Sequence, residues 1–85
     1  MKVKYTFVKR EIGGESFLVP VGEALKEFCG LFALSEVGAF IWDRLEQDEE
    51  TIAEEIVGEY DVSYEKALAD VREFTETLRK TGMVE

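Results

Sequence analysis

Histidine is absent from the chain, and Cys29 is its single cysteine. Without them the chain can build no zinc finger, no histidine-based catalytic pair and no intramolecular disulfide. Small secreted domains commonly lean on several disulfides, so one cysteine predicts a reducing compartment, the cytoplasm. Cations are also scarce, with 10 Lys and Arg against 19 Asp and Glu for a net charge of −9. A surface short of positive charge neutralises phosphates poorly, which argues against a nucleic-acid partner. Apolar runs extend over only a few residues, so nothing reads as a membrane span. The Lys2-Val3-Lys4 start also lacks the apolar stretch of a signal peptide. Together these gaps predict no catalytic residues, no metal and no organic cofactor.

What is present suits one small globule. The 85 residues are 46% hydrophobic, enough for a single packed domain over 1–85 that buries about 60% of its unfolded surface. Charge divides the chain unevenly: Met1 to Leu34 sums to +1, whereas Ser35 to Glu85 sums to −10. The pattern turns from β-like to helical at the same boundary. This predicts an α+β fold with a three-stranded antiparallel sheet first and three helices after it.

Tyr5-Thr6-Phe7-Val8 and Ile12 favour a strand, and Phe17 to Val21 favour another. Gly13-Gly14 between them supplies the positive φ angles of a two-residue hairpin turn. Folding there sets Val8 opposite Val19 and Arg10 opposite Phe17. Pro20 has no donor, so its nitrogen must face an unpaired side of the second strand. A loop from Val21 to Gly30 follows, with room for a helical turn at Ala24 to Phe28. Leu31-Phe32-Ala33 then suits a brief third strand.

Ser35 is a good N-cap for the first helix, where Val37, Phe40, Ile41 and Leu45 form one apolar stripe with Trp42 beside it. Thr51 and Glu54 have the spacing of a capping box, and Ile52, Ala53, Ile56, Val57 and Tyr60 stripe the second helix. Ser63 caps a third helix, Tyr64 to Lys80, with Ala67, Leu68, Val71, Phe74 and Leu78 on one face. Gly82 is placed to end it in a Schellman motif, with Met83 against Leu78. Strands followed by three helices, the last two joined by a four-residue turn at Tyr60 to Ser63, resemble a winged helix-turn-helix domain.

Each feature that invites a chemical reading also has a plain structural one. Cys29 has no partner to activate or resolve it and reads as a small buried hydrophobe. Asp48-Glu49-Glu50 lacks the spaced ligands of a calcium loop and reads as a solvated turn. Gly13-Gly14 belongs to no phosphate-loop motif. The winged-helix shape raises a DNA-binding transcriptional regulator as an alternative function. Against it, the third helix balances Lys66, Arg72, Arg79 and Lys80 with Glu65, Asp70, Glu73 and Glu76, leaving no surplus charge for phosphates. A carrier protein would need a D-S-L-type serine, which Leu34-Ser35-Glu36 and Val62-Ser63-Tyr64 both miss. A peptide-binding module needs no catalytic residue and tolerates the acidic surface.

From Leu31 to Trp42 the chain reads L-F-A-L-S-E-V-G-A-F-I-W, which resembles the PqqD family and its L-N-E-x-G-x-x-I-W stretch, with Ser35 in place of Asn. Similarity continues through Arg10 to Glu15, Thr51 to Ile56, Glu59 to Val62, and Asp70 to Gly82, and so covers nearly the whole chain. The Gly22 to Gly30 loop departs from the pattern. The resemblance implies a RiPP recognition element, a peptide chaperone that binds the leader of a ribosomally made precursor peptide. Such a chaperone presents the leader to a modifying enzyme, typically a radical S-adenosylmethionine (radical SAM) maturase, in pyrroloquinoline quinone biosynthesis or a related peptide pathway. Whether the chain forms a homodimer is left open.

The same resemblance places the leader as an added strand beside Leu31, Phe32 and Ala33, against one flank of the third helix. Leu68, Val71, Arg72, Thr75, Leu78 and Arg79 are the expected lining. Val71 and Leu78 read equally well as ordinary core. Arg72 and Arg79 are placed either to meet a leader carboxylate or to form surface pairs with neighbours such as Glu76. Phe32→Pro is expected to remove a strand donor that the leader uses.

Overall fold

The computed structural model describes residues 3–84, so Lys2 of the charged start lies outside it. Strands β1 (Phe7–Ile12) and β2 (Glu15–Pro20) lead through a one-turn helix, α1 (Ala24–Glu27), to β3 (Phe32–Leu34). Helices α2 (Glu36–Trp42), α3 (Glu49–Glu59) and α4 (Tyr64–Thr81) follow. The α+β order is the expected one, and α1 is the helical turn anticipated in the long loop.

The strands form one antiparallel sheet in the order β1-β2-β3. Gly13 and Gly14 have φ of 61° and 82°, the pair of left-handed residues that a tight two-residue turn demands. That turn fixes Val8 opposite Val19 and Arg10 opposite Phe17. Pro20 ends β2 beyond the reach of β3, which pairs only from Ser16 to Leu18.

Local chemistry sets the helix ends. Ser35 accepts a hydrogen bond from the Gly38 amide at 2.9 Å, and Ser63 accepts one from Lys66 at 3.2 Å. At the end of α4, Gly82 adopts φ 82°, and Met83 N–H donates to the Leu78 carbonyl at 3.1 Å. This is the anticipated Schellman ending.

Three local expectations are corrected. The cap of α3 is Asp48, whose carboxylate accepts from the Thr51 amide at 2.7 Å. Glu49 and Glu50 are therefore the first helical turn and Thr51 lies inside it; acidic side chains favour the positive end of the helix dipole. Cys29 is exposed rather than buried, because the neighbouring Phe28 takes the inward position of the connector. Its ring packs edge-on against Phe7 and Phe32, with centroids at 5.3 and 5.8 Å. Val57, expected on the buried stripe of α3, is also exposed.

Leu18, Ile41, Ile52, Ile56 and Val71 are fully buried where one face of the sheet meets α2, α3 and α4. Phe7 joins the sheet to α2 through an edge-on contact with Trp42 at 5.9 Å. Phe40 meets Tyr60 at 5.7 Å, which ties α2 to the end of α3.

Candidate functional site

Strand β3 is an edge of the sheet, and register shows which of its backbone groups remain unpaired within the sheet. A two-residue hairpin closes on a hydrogen-bonded pair, here Ile12 and Glu15, and such pairs recur at every second residue. Arg10 with Phe17 and Val8 with Val19 are therefore bonded pairs, and the Val21 amide extends the series to the Thr6 carbonyl at 3.1 Å. Ser16 and Leu18 must then direct their N–H and C=O groups to the other side, toward Leu34 and Phe32. Ala33 is left with its N–H and C=O pointing away from the sheet. The side chains alternate the other way: Phe32 and Leu34 pack against the core, and Ala33 is exposed.

The strand begins one residue later than expected, at Phe32. Leu31 precedes it, 53% exposed, directly after Gly30 at φ 85°. The sequence assignment of Leu31-Phe32-Ala33 thus becomes Phe32-Ala33-Leu34 as the paired segment, because Leu34 reaches Ser16 on β2.

Beside this edge runs an open groove of about 500 Å³, walled by Ala33, Leu34 and Ser35 on one side and Phe74 and Thr77 of α4 on the other. Val37, Gly38 and Ile41 of α2 form its floor. Gly38 is what lets the walls come together. A Cβ at that position would stand 3.1 Å from Phe74 Cε1 and 3.1 Å from Ser35 Oγ, so the bare glycine gives the ring its seat. The charged residues of the groove are Asp70 and Glu73, both acidic. Asp70 holds the Lys66 ammonium at 2.6 Å. This hydrogen bond, reinforced by the carboxylate charge, raises the Lys66 pKa above its ordinary value.

The expected lining of α4 falls elsewhere. Val71, Thr75 and Leu78 are 0%, 1% and 4% exposed and belong to the interior. Leu68 is half-buried against the same core. Arg72 and Arg79 are exposed on the flank turned toward α3 and its approach, where Arg72 Nε lies 3.9 Å from Glu49 and Arg79 borders Asp48 and Glu50. Arg79 also pairs with Glu76 at 3.6 Å. None of these six residues walls the groove beside β3. The structure therefore brings Ala33 together with Asp70, Glu73, Phe74 and Thr77, four residues that sequence reasoning left out of the site. Phe74 was visible as a border residue of the apolar stripe; nothing in the stripe told which border would meet the strand.

Among the described residues, no group of three or more Cys, Asp or Glu side chains is placed to hold a metal ion. No helix among them is long and apolar enough to cross a membrane.

Residues 22–84 match the family model of coenzyme PQQ synthesis protein D (PqqD). Among solved structures, the chain is similar to TbiB1 in complex with the TbiA(beta) leader peptide. The two share 29% sequence identity and a TM-score of 0.76, over 100% of this chain and 95% of that one. No curated protein matches the chain at a significant level.

Proposed function

Because the chain belongs to the PqqD family, we propose that it is a peptide chaperone of the RiPP recognition element type, acting as one binding domain over 1–85. Its ligand is the leader segment of a ribosomally synthesised precursor peptide, which adds as a fourth strand to β3. The observation that carries this reading is the backbone of Ala33 at the sheet edge, unpaired within the sheet, bordered by a groove with an apolar floor of Val37, Gly38 and Ile41. Main-chain hydrogen bonds to such an edge contribute about 1 kcal/mol each and are indifferent to sequence, so selectivity has to come from side chains entering the groove. The similarity to TbiB1, whose structure contains a leader peptide, supports a leader peptide as the ligand.

In this role the chain is a presenter and not a catalyst, and it uses no cofactor. Its partners are the precursor peptide and a modifying enzyme of the radical S-adenosylmethionine type, in pyrroloquinoline quinone or related peptide biosynthesis; a homodimer is compatible with the same edge being used. The single exposed cysteine fits a reducing cytoplasm. A DNA-reading role draws no support from α4, whose four basic residues are matched by four acidic ones.

The test is a titration of isotope-labelled protein with the precursor peptide of its pathway. Amide resonances of residues 31–35 and 70–77 should move together. Perturbation confined to the Gly13-Gly14 turn would place the peptide elsewhere and overturn the assignment.

A further inference from the structure

We infer that the groove between β3 and α4 selects leaders carrying a lysine or arginine at an even spacing from an apolar anchor. The inference rests on the strand-addition reading above and adds the chemistry of the side chains that the site accepts. An extended peptide paired with β3 points alternate side chains toward α4 and the rest toward solvent. Two side chains that both enter the groove must therefore be separated by an even number of positions.

The groove offers these inward side chains two different surfaces. Phe74, half-buried above the bare Gly38, presents apolar ring surface beside Val37 and Leu34. Asp70 and Glu73 supply its only charges among the described residues. Lys66 bonds directly to Asp70 at 2.6 Å and acts on Glu73 only through space, so the exposed Glu73 has no ion-pair contact among the described residues. Apart from Lys66, which Asp70 holds, the arginines of α4 stand on the opposite flank, where Arg72 and Arg79 are engaged by Glu49 and Glu76. A leader carboxylate in this groove would thus meet two carboxylates against the one ammonium of Lys66, and a leader cation would meet a carboxylate that no cation contacts directly among the described residues. The field of the whole molecule acts in the same direction, with −9 overall and −10 from Ser35 onward, and steers cationic peptides in at low ionic strength.

The experiment uses a display library of random twelve-residue peptides, selected separately on the immobilised full chain and on its Glu73→Lys variant. Glu73 is exposed on α4, so the variant should fold, as circular dichroism would verify. Wild-type winners should be enriched in Lys or Arg at an even spacing from an apolar residue, and the variant should lose that enrichment while keeping the apolar preference. For one winning peptide, replacing its cation by Glu should weaken wild-type binding by about fivefold in low salt, the upper range for an exposed ion pair. Glu73→Lys should reverse the preference, and added salt should compress both effects. Winners that bind residues 31–35 by amide shifts but show no cation enrichment would overturn this inference and leave the strand-addition reading standing. Winners that leave those amides unmoved would overturn both.

Discussion

Thr75 Oγ1 donates a hydrogen bond to Glu49 Oε2 at 2.9 Å and thereby joins the middle of α4 to the first turn of α3. Thr75 is 1% exposed and its hydroxyl also lies 3.1 Å from the Arg72 carbonyl, while Arg72 Nε stands 3.9 Å from the same Glu49 carboxylate. A polar residue on the buried stripe of α4 is tolerated because its partner comes from another helix. Together with the buried Val71 and Leu78, the contact fixes how α4 is rotated against α3, and so which flank of α4 faces β3. Thr75→Val keeps the shape and removes the donor. It should lower stability by about 1 kcal/mol, read as a reduced urea midpoint at unchanged m-value. An unchanged midpoint would show that the contact contributes nothing.

The cap of α3 is expected to titrate. Asp48 accepts hydrogen bonds from Thr51, from its side chain first and its amide second, and they hold its carboxyl below the ordinary value in the folded chain. A depressed folded pKa contributes stability that is fully present above the unfolded value of about 3.9 and is lost as pH falls through the folded one. The melting temperature of Asp48→Ala should therefore lie below that of wild type at neutral pH, and the gap should close only below about pH 4. A gap that persists undiminished to pH 2 would assign the effect to helix propensity instead.

Register changes the meaning of proline at the edge strand. Phe32 directs its N–H toward Leu18 of β2, and its ring packs on Phe7 and Phe28. Phe32→Pro should consequently unravel the β2–β3 pairing and cost about 3 kcal/mol or more, in contrast to the simple loss of a leader contact expected from sequence. Ala33→Pro removes an N–H that the sheet does not use. It should leave the melting temperature close to wild type while weakening leader binding by about fivefold or more, the equivalent of one lost main-chain bond. Calorimetric titration beside a thermal melt separates the two variants. Equal leader affinity for Ala33→Pro and wild type would remove β3 from the binding site.

Gly38 is expected to matter more for the groove than for the fold. Alanine there gains about 1 kcal/mol of helix propensity, which offsets the displacement of a half-buried Phe74 ring from its 3.1 Å approach. Gly38→Ala should thus stay within about 1 kcal/mol of wild-type stability and bind the leader less tightly, because the displaced ring intrudes on the groove. Wild-type affinity combined with shifted Phe74 ring resonances would show that the floor of the groove is not used.

Sequence alone determined what short-range chemistry controls. Two glycines with positive φ set the hairpin register down to Arg10 opposite Phe17, since the turn counts residues for both strands at once. Ser35, Ser63 and Gly82 set helix ends because a cap or a left-handed residue acts within one turn of chain. Competition between neighbours was harder to read: Asp48 and Thr51 are both capable caps, and the two glutamates after Asp48 decide between them through the helix dipole. The groove was beyond local reading. An apolar stripe as wide as that of α4 has two borders, Leu68 on one side and Phe74 on the other, and their sequence spacing is silent about which neighbour each will meet. Docking of α4 on α3, fixed by the buried Val71, Thr75 and Leu78 and by the bond to Glu49, turns Arg72 and Arg79 away from β3 and turns Asp70, Glu73 and Phe74 toward it. Only that long-range packing could decide that the edge strand faces an acidic flank and not a basic one.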